Sequence, residues 1–161
     1  MTTSNRDTFA ISLPSEREIL ITRWFRAPRS LLFDVITNPD HVGQWWGPRA
    51  LSLVNCEMDV RPGGRYRFVL RTPEGVEAAF RGEYLEIRRP ERVVSTFEFE
   101  GMPGHGSIET LTLDEIDGQT RLTVRCLYQS REDRDRHLNS GMEPGVRESH
   151  ERLEELLDTL A

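Results

Sequence analysis

The chain has 161 residues, 37% hydrophobic and 30% charged, enough for one domain with a real core and too few for two. Its net charge is −6 and all 21 basic residues are arginine, which speaks against a nucleic-acid partner and removes lysine Schiff-base and phosphate-loop lysine chemistry. No apolar run approaches the roughly 20 residues of a membrane span, and the N-terminus lacks a signal-peptide pattern, so no membrane partner and a cytoplasmic location are expected.

Residues 1–7 read as a disordered tail, and 8–161 as a single domain. A short alternating strand over Thr8–Leu13 precedes a stronger one over Glu18–Phe25, rich in β-branched and aromatic residues. Ala27-Pro28 opens a helix with Pro28 at the first helical position and Leu31, Leu32, Val35 and Ile36 as its apolar face. Asn38-Pro39 starts a second short helix, with Asn38 as N-cap, that runs to Trp45 and stops at Gly47-Pro48.

Five or six strands follow. Leu51–Asp59 is the first, and Pro62-Gly63-Gly64 turns into Arg65–Arg71, where Tyr66, Phe68 and Leu70 alternate with arginines. Ala78–Ile87 continues, with Gly82 as a bulge or a site of close backbone approach. Val93, Ser95, Phe97 and Phe99 share one face of the next strand, and a mobile Gly101–Gly106 loop follows. Ile108–Ile116 and Thr120–Tyr128 form a hairpin across Asp117-Gly118, with Leu122, Val124, Cys126 and Tyr128 on one face. Arg131–Arg136 reads as a solvated short helix or loop. Met142, Val146, His150, Leu153, Leu157 and Leu160 then recur at helical spacing and define one long amphipathic C-terminal helix. The two cysteines, Cys56 and Cys126, each fall in a strand and read as buried free thiols.

A twisted antiparallel sheet with one apolar face needs a cover, and only the last helix is long enough to supply it. The expected architecture is therefore α+β, a curved antiparallel sheet wrapped on a long C-terminal helix. A hollow between the two would suit a small apolar molecule. Four segments carry a resemblance: Ile21-Thr22-Arg23 with Ala27-Pro28; Trp45-Trp46-Gly47-Pro48; Asp59-Val60-Arg61-Pro62-Gly63-Gly64; and Gly82-Glu83-Tyr84-Leu85-Glu86-Ile87 with Pro90-Glu91-Arg92-Val93-Val94. In this order they resemble the bacterial proteins grouped as activator of heat-shock protein 90 ATPase homologue-like, within the START and birch-pollen-allergen superfamily. The resemblance runs from about Glu18 to the C-terminus and implies the helix-grip fold. It implies function less sharply, since that superfamily spans lipid and hormone binders, polyketide cyclases, self-sacrificing resistance proteins and co-chaperone domains.

The candidate ligand-binding set is Trp45, Trp46, Phe68, Tyr84, Phe97, Phe99, Glu109, Met142, Val146 and His150. The adjacent indoles cannot both face one core at helical spacing; Trp46 is expected against the sheet and Trp45 nearer the cavity mouth. Glu109 is in phase with Leu111 and Leu113, so it faces inward and needs a partner such as Arg23 or a ligand, or a bulge turns it outward. His150 lies on the apolar stripe, either as a hydrogen-bonded structural residue or as a cavity-facing base or ligand partner. His41, His105, His137 and His150 lack metal-ligand spacing, no nucleophile–base set emerges, and no cofactor, metal or catalytic residue is assigned. Binding of a small apolar molecule is the leading reading. A chaperone-directed or regulatory interaction module and a cyclase- or hydrolase-type enzyme are the alternatives; a homodimer fits any of them.

Overall fold

Alternation of aromatic and arginine side chains makes Arg65–Arg71 a strand with one face buried and the other in water, and the same rule organises most of the sheet. The computed structural model describes residues 9–160; the tail expected at 1–7 lies outside the described residues. The elements are β1 (Phe9–Ser12), β2 (Glu18–Phe25), α1 (Arg29–Thr37), α2 (Pro39–Trp45), β3 (Ser52–Met58), β4 (Arg65–Arg71), β5 (Glu77–Arg88), β6 (Arg92–Phe99), β7 (Ser107–Ile116), β8 (Gln119–Leu127), α3 (Arg131–Leu138) and α4 (Met142–Leu160). No helix among the described residues is long and apolar enough to cross a membrane.

The eight strands form one curved antiparallel sheet in the order β1-β2-β8-β7-β6-β5-β4-β3. Each connection from β3 to β8 joins neighbours, so local turns set the register. Asp117 and Gly118 both take positive φ (56° and 77°), the geometry of a two-residue turn whose twist matches its strands. At Gly82 a Cβ would lie 2.0 Å from the Thr96 carbonyl oxygen and 2.4 Å from the Tyr66 ring, so close approach is the reason for this glycine. A register shift between Tyr84 and Glu86 moves the inward-facing positions of β5 by one. Tyr84 and Ile87 therefore both pack inward although three residues apart.

Pro28 stands one residue before α1, at the N-cap, rather than at the first helical position; its extended ψ of 154° is the conformation a cap requires. Asn38 caps α2 as expected, its side chain accepting the Asp40 N–H at 2.9 Å. The solvated reading of Arg131–Arg136 is corrected. Its residues form α3, with Asp133 and Arg134 buried. Arg134 donates to the carbonyls of Ser15 and Glu18, and Asp133 accepts from His105 and Arg136. These charges are inside because they are paired.

The main core joins Phe25, Leu32, Phe33, Val35 and Val42 to Leu113, Leu122, Leu153 and Leu157. The C-terminal half of α4 is thus driven into the interior, Leu153 and Leu157 being at most 1% exposed. Fully burying such a side chain contributes about 1.5–3 kcal/mol. Glu154, beside them, pairs with Arg23 at 3.5 Å and accepts the Arg26 backbone N–H at 3.4 Å. The N-terminal half of α4 packs differently: Met142 and Val146 belong to a smaller cluster with Phe9, Ile19, Ile21, Cys126 and Tyr128.

Candidate functional site

Between the concave face of the sheet and the first half of α4 lies a cavity of about 620 Å³. Its floor is the inward face of the sheet, its roof is α4, and residues of α2 and α3 border its two ends. All ten candidate residues line it.

The paired indoles both border this space, although their adjacency in sequence argued against it. The reason is local. α2 ends at Trp45, and Trp46 is its C-cap with an extended ψ of 125°, so the two side chains are no longer at helical spacing. Trp46 packs against the sheet as expected, its ring centroid 4.9 Å from Phe68 and 5.5 Å from Phe80. Trp45 turns back on α1, its indole N–H donating to the Val35 carbonyl at 3.4 Å. The segment is clamped to the roof. The Gly47 N–H donates to Ser149 Oγ at 2.8 Å, and Arg152 donates to the carbonyls of Gly47 and Gln44, each at 2.9 Å.

Aromatic rings form one wall. Tyr66 lies 5.0 Å from Phe68 and 5.3 Å from Tyr84, and Phe80 stacks on Phe97 at 5.5 Å. Phe99 sits at the rim, 39% exposed. The hydroxyl of Tyr66 donates to the Thr96 carbonyl at 2.5 Å. Burial raises the pKa of Tyr66, Tyr84 and Tyr128, so all three enter the site as neutral phenols.

Glu109 faces inward, which settles the choice between inward and outward. Of its two expected partners, Arg23 or a ligand, the first is corrected: Arg23 pairs with Glu154, and Glu109 accepts from the Cys126 thiol at 3.8 Å. A thiol is a weak donor. Burial therefore dominates and pushes the Glu109 carboxyl up to about 7, the Cys126 contact opposing it only partly. Both cysteines are free as expected, but Cys126 is buried whereas Cys56 is only half-buried; burial raises each thiol.

His150 is buried edge-on between Phe9 and Phe25, each centroid at 5.5 Å. Its Nδ1 has no hydrogen-bond partner among the described residues, so it is not the satisfied structural histidine of the simpler reading. Burial first and the nearby Arg23 charge second push it down to about 3, leaving a neutral imidazole.

Four cavity residues outside the candidate set stand out: Tyr128, Ser95, Cys126 and His137. The Tyr128 hydroxyl and His137 Nδ1 share a short hydrogen bond, and His137 lies over Phe97. The common phase of Tyr128 and Cys126 on β8 was the signal for two of them. His137 carried none, since its helix is polar in every residue but Leu138. The Gly101–Gly106 loop is tied over this end: His105 contacts Asp133 at 2.8 Å, and Gln129 donates to the carbonyls of Gly104 and Gly106. Three histidines border the cavity, yet no group of three or more His, Cys, Asp or Glu residues that could hold a metal occurs among the described residues.

The model of the family described as activator of Hsp90 ATPase homolog 1-like protein matches residues 26–158. Solved structures agree on the fold. A Rhodobacter sphaeroides protein superimposes with a TM-score of 0.89 at 24% identity, over 94% of this chain and 99% of its own. A Nitrosomonas europaea protein gives 0.80 at 25% identity, over 91% and 97%. A Silicibacter pomeroyi protein bearing the same family label gives 0.72 at 21%, over 89% and 99%. No curated protein matches the chain.

Proposed function

This chain belongs to the activator of Hsp90 ATPase homolog 1-like family, and from that premise we propose that it binds a small, largely apolar molecule in the cavity beneath α4. The observation that carries this reading is the cavity itself. Its volume of about 620 Å³ lies in the range of small-molecule sites, roughly 300–1,000 Å³, and its wall is mostly aromatic and aliphatic. A few polar groups interrupt that wall, as orientation of a ligand requires. The ten candidate residues are its proposed contacts.

The enzyme alternative gains less support. Catalysis by a positioned base needs the base held by a third group. His150 Nδ1 has no partner among the described residues, and Glu109 has only a thiol. The chaperone alternative rests on the family's name rather than on any surface feature.

The test is titration with N-phenyl-1-naphthylamine, an uncharged probe that fluoresces in apolar surroundings. Saturable enhancement at one probe per chain is expected. A Cβ at Gly145, which borders the cavity, would meet nothing within 4 Å, so Gly145→Leu places a side chain in open space. That variant is expected to lose the enhancement. Equal enhancement in both proteins, or none in either, refutes the reading.

A further inference from the structure

The cavity floor is not uniformly apolar. Ladder register places Tyr84 opposite Ser95, Ser95 opposite Glu109, and Glu109 opposite Cys126. Directly paired side chains on one face lie about 5 Å apart, so these four form a polar row across β5 to β8. The next row, Val93, Leu111 and Val124, is wholly aliphatic. Glu109 stands in the middle of the polar row.

Among the described residues lining the cavity, Glu109 is the carboxyl without a basic neighbour. The other carboxyl, Asp133, is held by Arg136 at 3.0 Å and His105 at 2.8 Å. The groups facing Glu109 are Tyr66 from β4, Ser95 from β6, and Cys126 and Tyr128 from β8. None is cationic. His150 from α4 and His137 from α3, further along the wall, are held neutral by burial. A carboxylate buried without a cation costs several kcal/mol, and a cation brought to it recovers much of that.

We infer that the bound molecule carries a protonated amine on its apolar body, with the ammonium seated on Glu109 in the polar row. This rests on the cavity-binding proposal above and adds the ligand's chemical class to it. The neighbouring hydroxyls can accept the remaining ammonium protons, and aromatic rings, which attract cations over their faces, line the same cavity. Among the described residues lining the cavity the one arginine, Arg136, pairs with Asp133 at 3.0 Å and stands on α3, not on the sheet row that holds Glu109.

The experiment is calorimetric or probe-displacement titration with octylamine, octan-1-ol and octanoate, which share one chain and differ in charge. At pH 8 the amine is expected to bind at least about tenfold more tightly than the alcohol, a preference of about 1.4 kcal/mol, and octanoate least tightly. The amine-to-alcohol ratio should fall to near one in Glu109→Gln. In the unmodified protein the amine's affinity should drop by tens-fold between pH 8 and pH 5, where Glu109 carries its proton in the empty cavity. In Glu109→Gln that pH dependence should vanish. If the alcohol or octanoate binds as tightly as the amine, the ammonium assignment is overturned and the cavity reading stands. If octylamine fails while the naphthyl probe binds, the assignment falls alone; if neither binds, both fall.

Discussion

Glu109→Gln should stabilise the ligand-free protein, and more so as pH rises. The carboxyl is raised from 4.5 in the unfolded chain to about 7 in the fold. A raised carboxyl holds its proton in the folded state after the unfolded state has lost it. Stability is therefore full below pH 4.5 and is lost as pH climbs through 7. At about 1.36 kcal/mol per pKa unit, the complete loss is about 3.4 kcal/mol, of which about 2.5 kcal/mol develops between pH 5 and pH 8. Glutamine keeps the shape, still accepts the Cys126 thiol, and never ionises. The stability gap between variant and parent should thus widen by about 2.5 kcal/mol over that interval. With a urea slope of about 2 kcal/mol per M, the midpoints should separate by a further ~1.2 M. Urea unfolding followed by tryptophan fluorescence at pH 5, 6, 7 and 8 measures this. Parallel curves would refute the reasoning, because they would mean that Glu109 is solvated or ion-paired in the fold.

His150→Phe should have the opposite sign: a histidine lowered from 6.5 to about 3 supports the fold above pH 6.5 and withdraws that support in acid, so the variant should gain about 2 kcal/mol on its parent between pH 7.5 and pH 5 in the same unfolding assay. Gly145→Leu should raise stability by about 0.5–1 kcal/mol, visible in calorimetry, since a helical glycine is replaced where the new side chain meets open space. Gly82→Ala should destabilise by about 2 kcal/mol or more, because its Cβ would sit 2.0 Å from the Thr96 carbonyl oxygen and neither strand can yield without breaking the ladder; an unfolding midpoint equal to the parent's would contradict the packing. Leu153→Ala should cost about 2–5 kcal/mol by opening a hole where α4 is packed most tightly.

The strands were legible wherever one face is wet. Arg65–Arg71 alternates because arginine must reach water while Tyr66, Phe68 and Leu70 must not, and its observed bounds match the expected ones. The α4 stripe was legible for the same reason at helical period. Features that depend on pairing between distant segments were not. Asp133 and Arg134 look like surface charges until His105, Ser15 and Glu18 are brought beside them. The phase of Glu109 left inward and outward both open, and its neighbours follow from ladder register, because no periodicity in one strand reveals what lies across from it. Both indoles reach the cavity because the chain changes from helix to extended form between them, a change that Gly47-Pro48 announces only after the fact.

α4 explains why the cavity persists rather than collapsing. Its second half is fixed by Leu153 and Leu157 in the core and by Glu154 between Arg23 and the Arg26 backbone. Its first half carries Gly145, which borders the cavity and whose Cβ position meets nothing within 4 Å. Closing the cavity would press Met142 and Val146 onto the row of Ser95, Glu109 and Cys126. It would seal in a carboxyl whose one hydrogen-bond partner is a thiol. An unsatisfied buried polar group costs about 1–3 kcal/mol, which opposes the apolar area such a collapse would bury. The same carboxyl that opposes collapse of the empty cavity is the one a ligand can satisfy. Filling the space and satisfying Glu109 therefore act together. A ligand that does both should raise the melting temperature of the protein more than an alcohol of equal size, and Glu109→Gln should erase that difference.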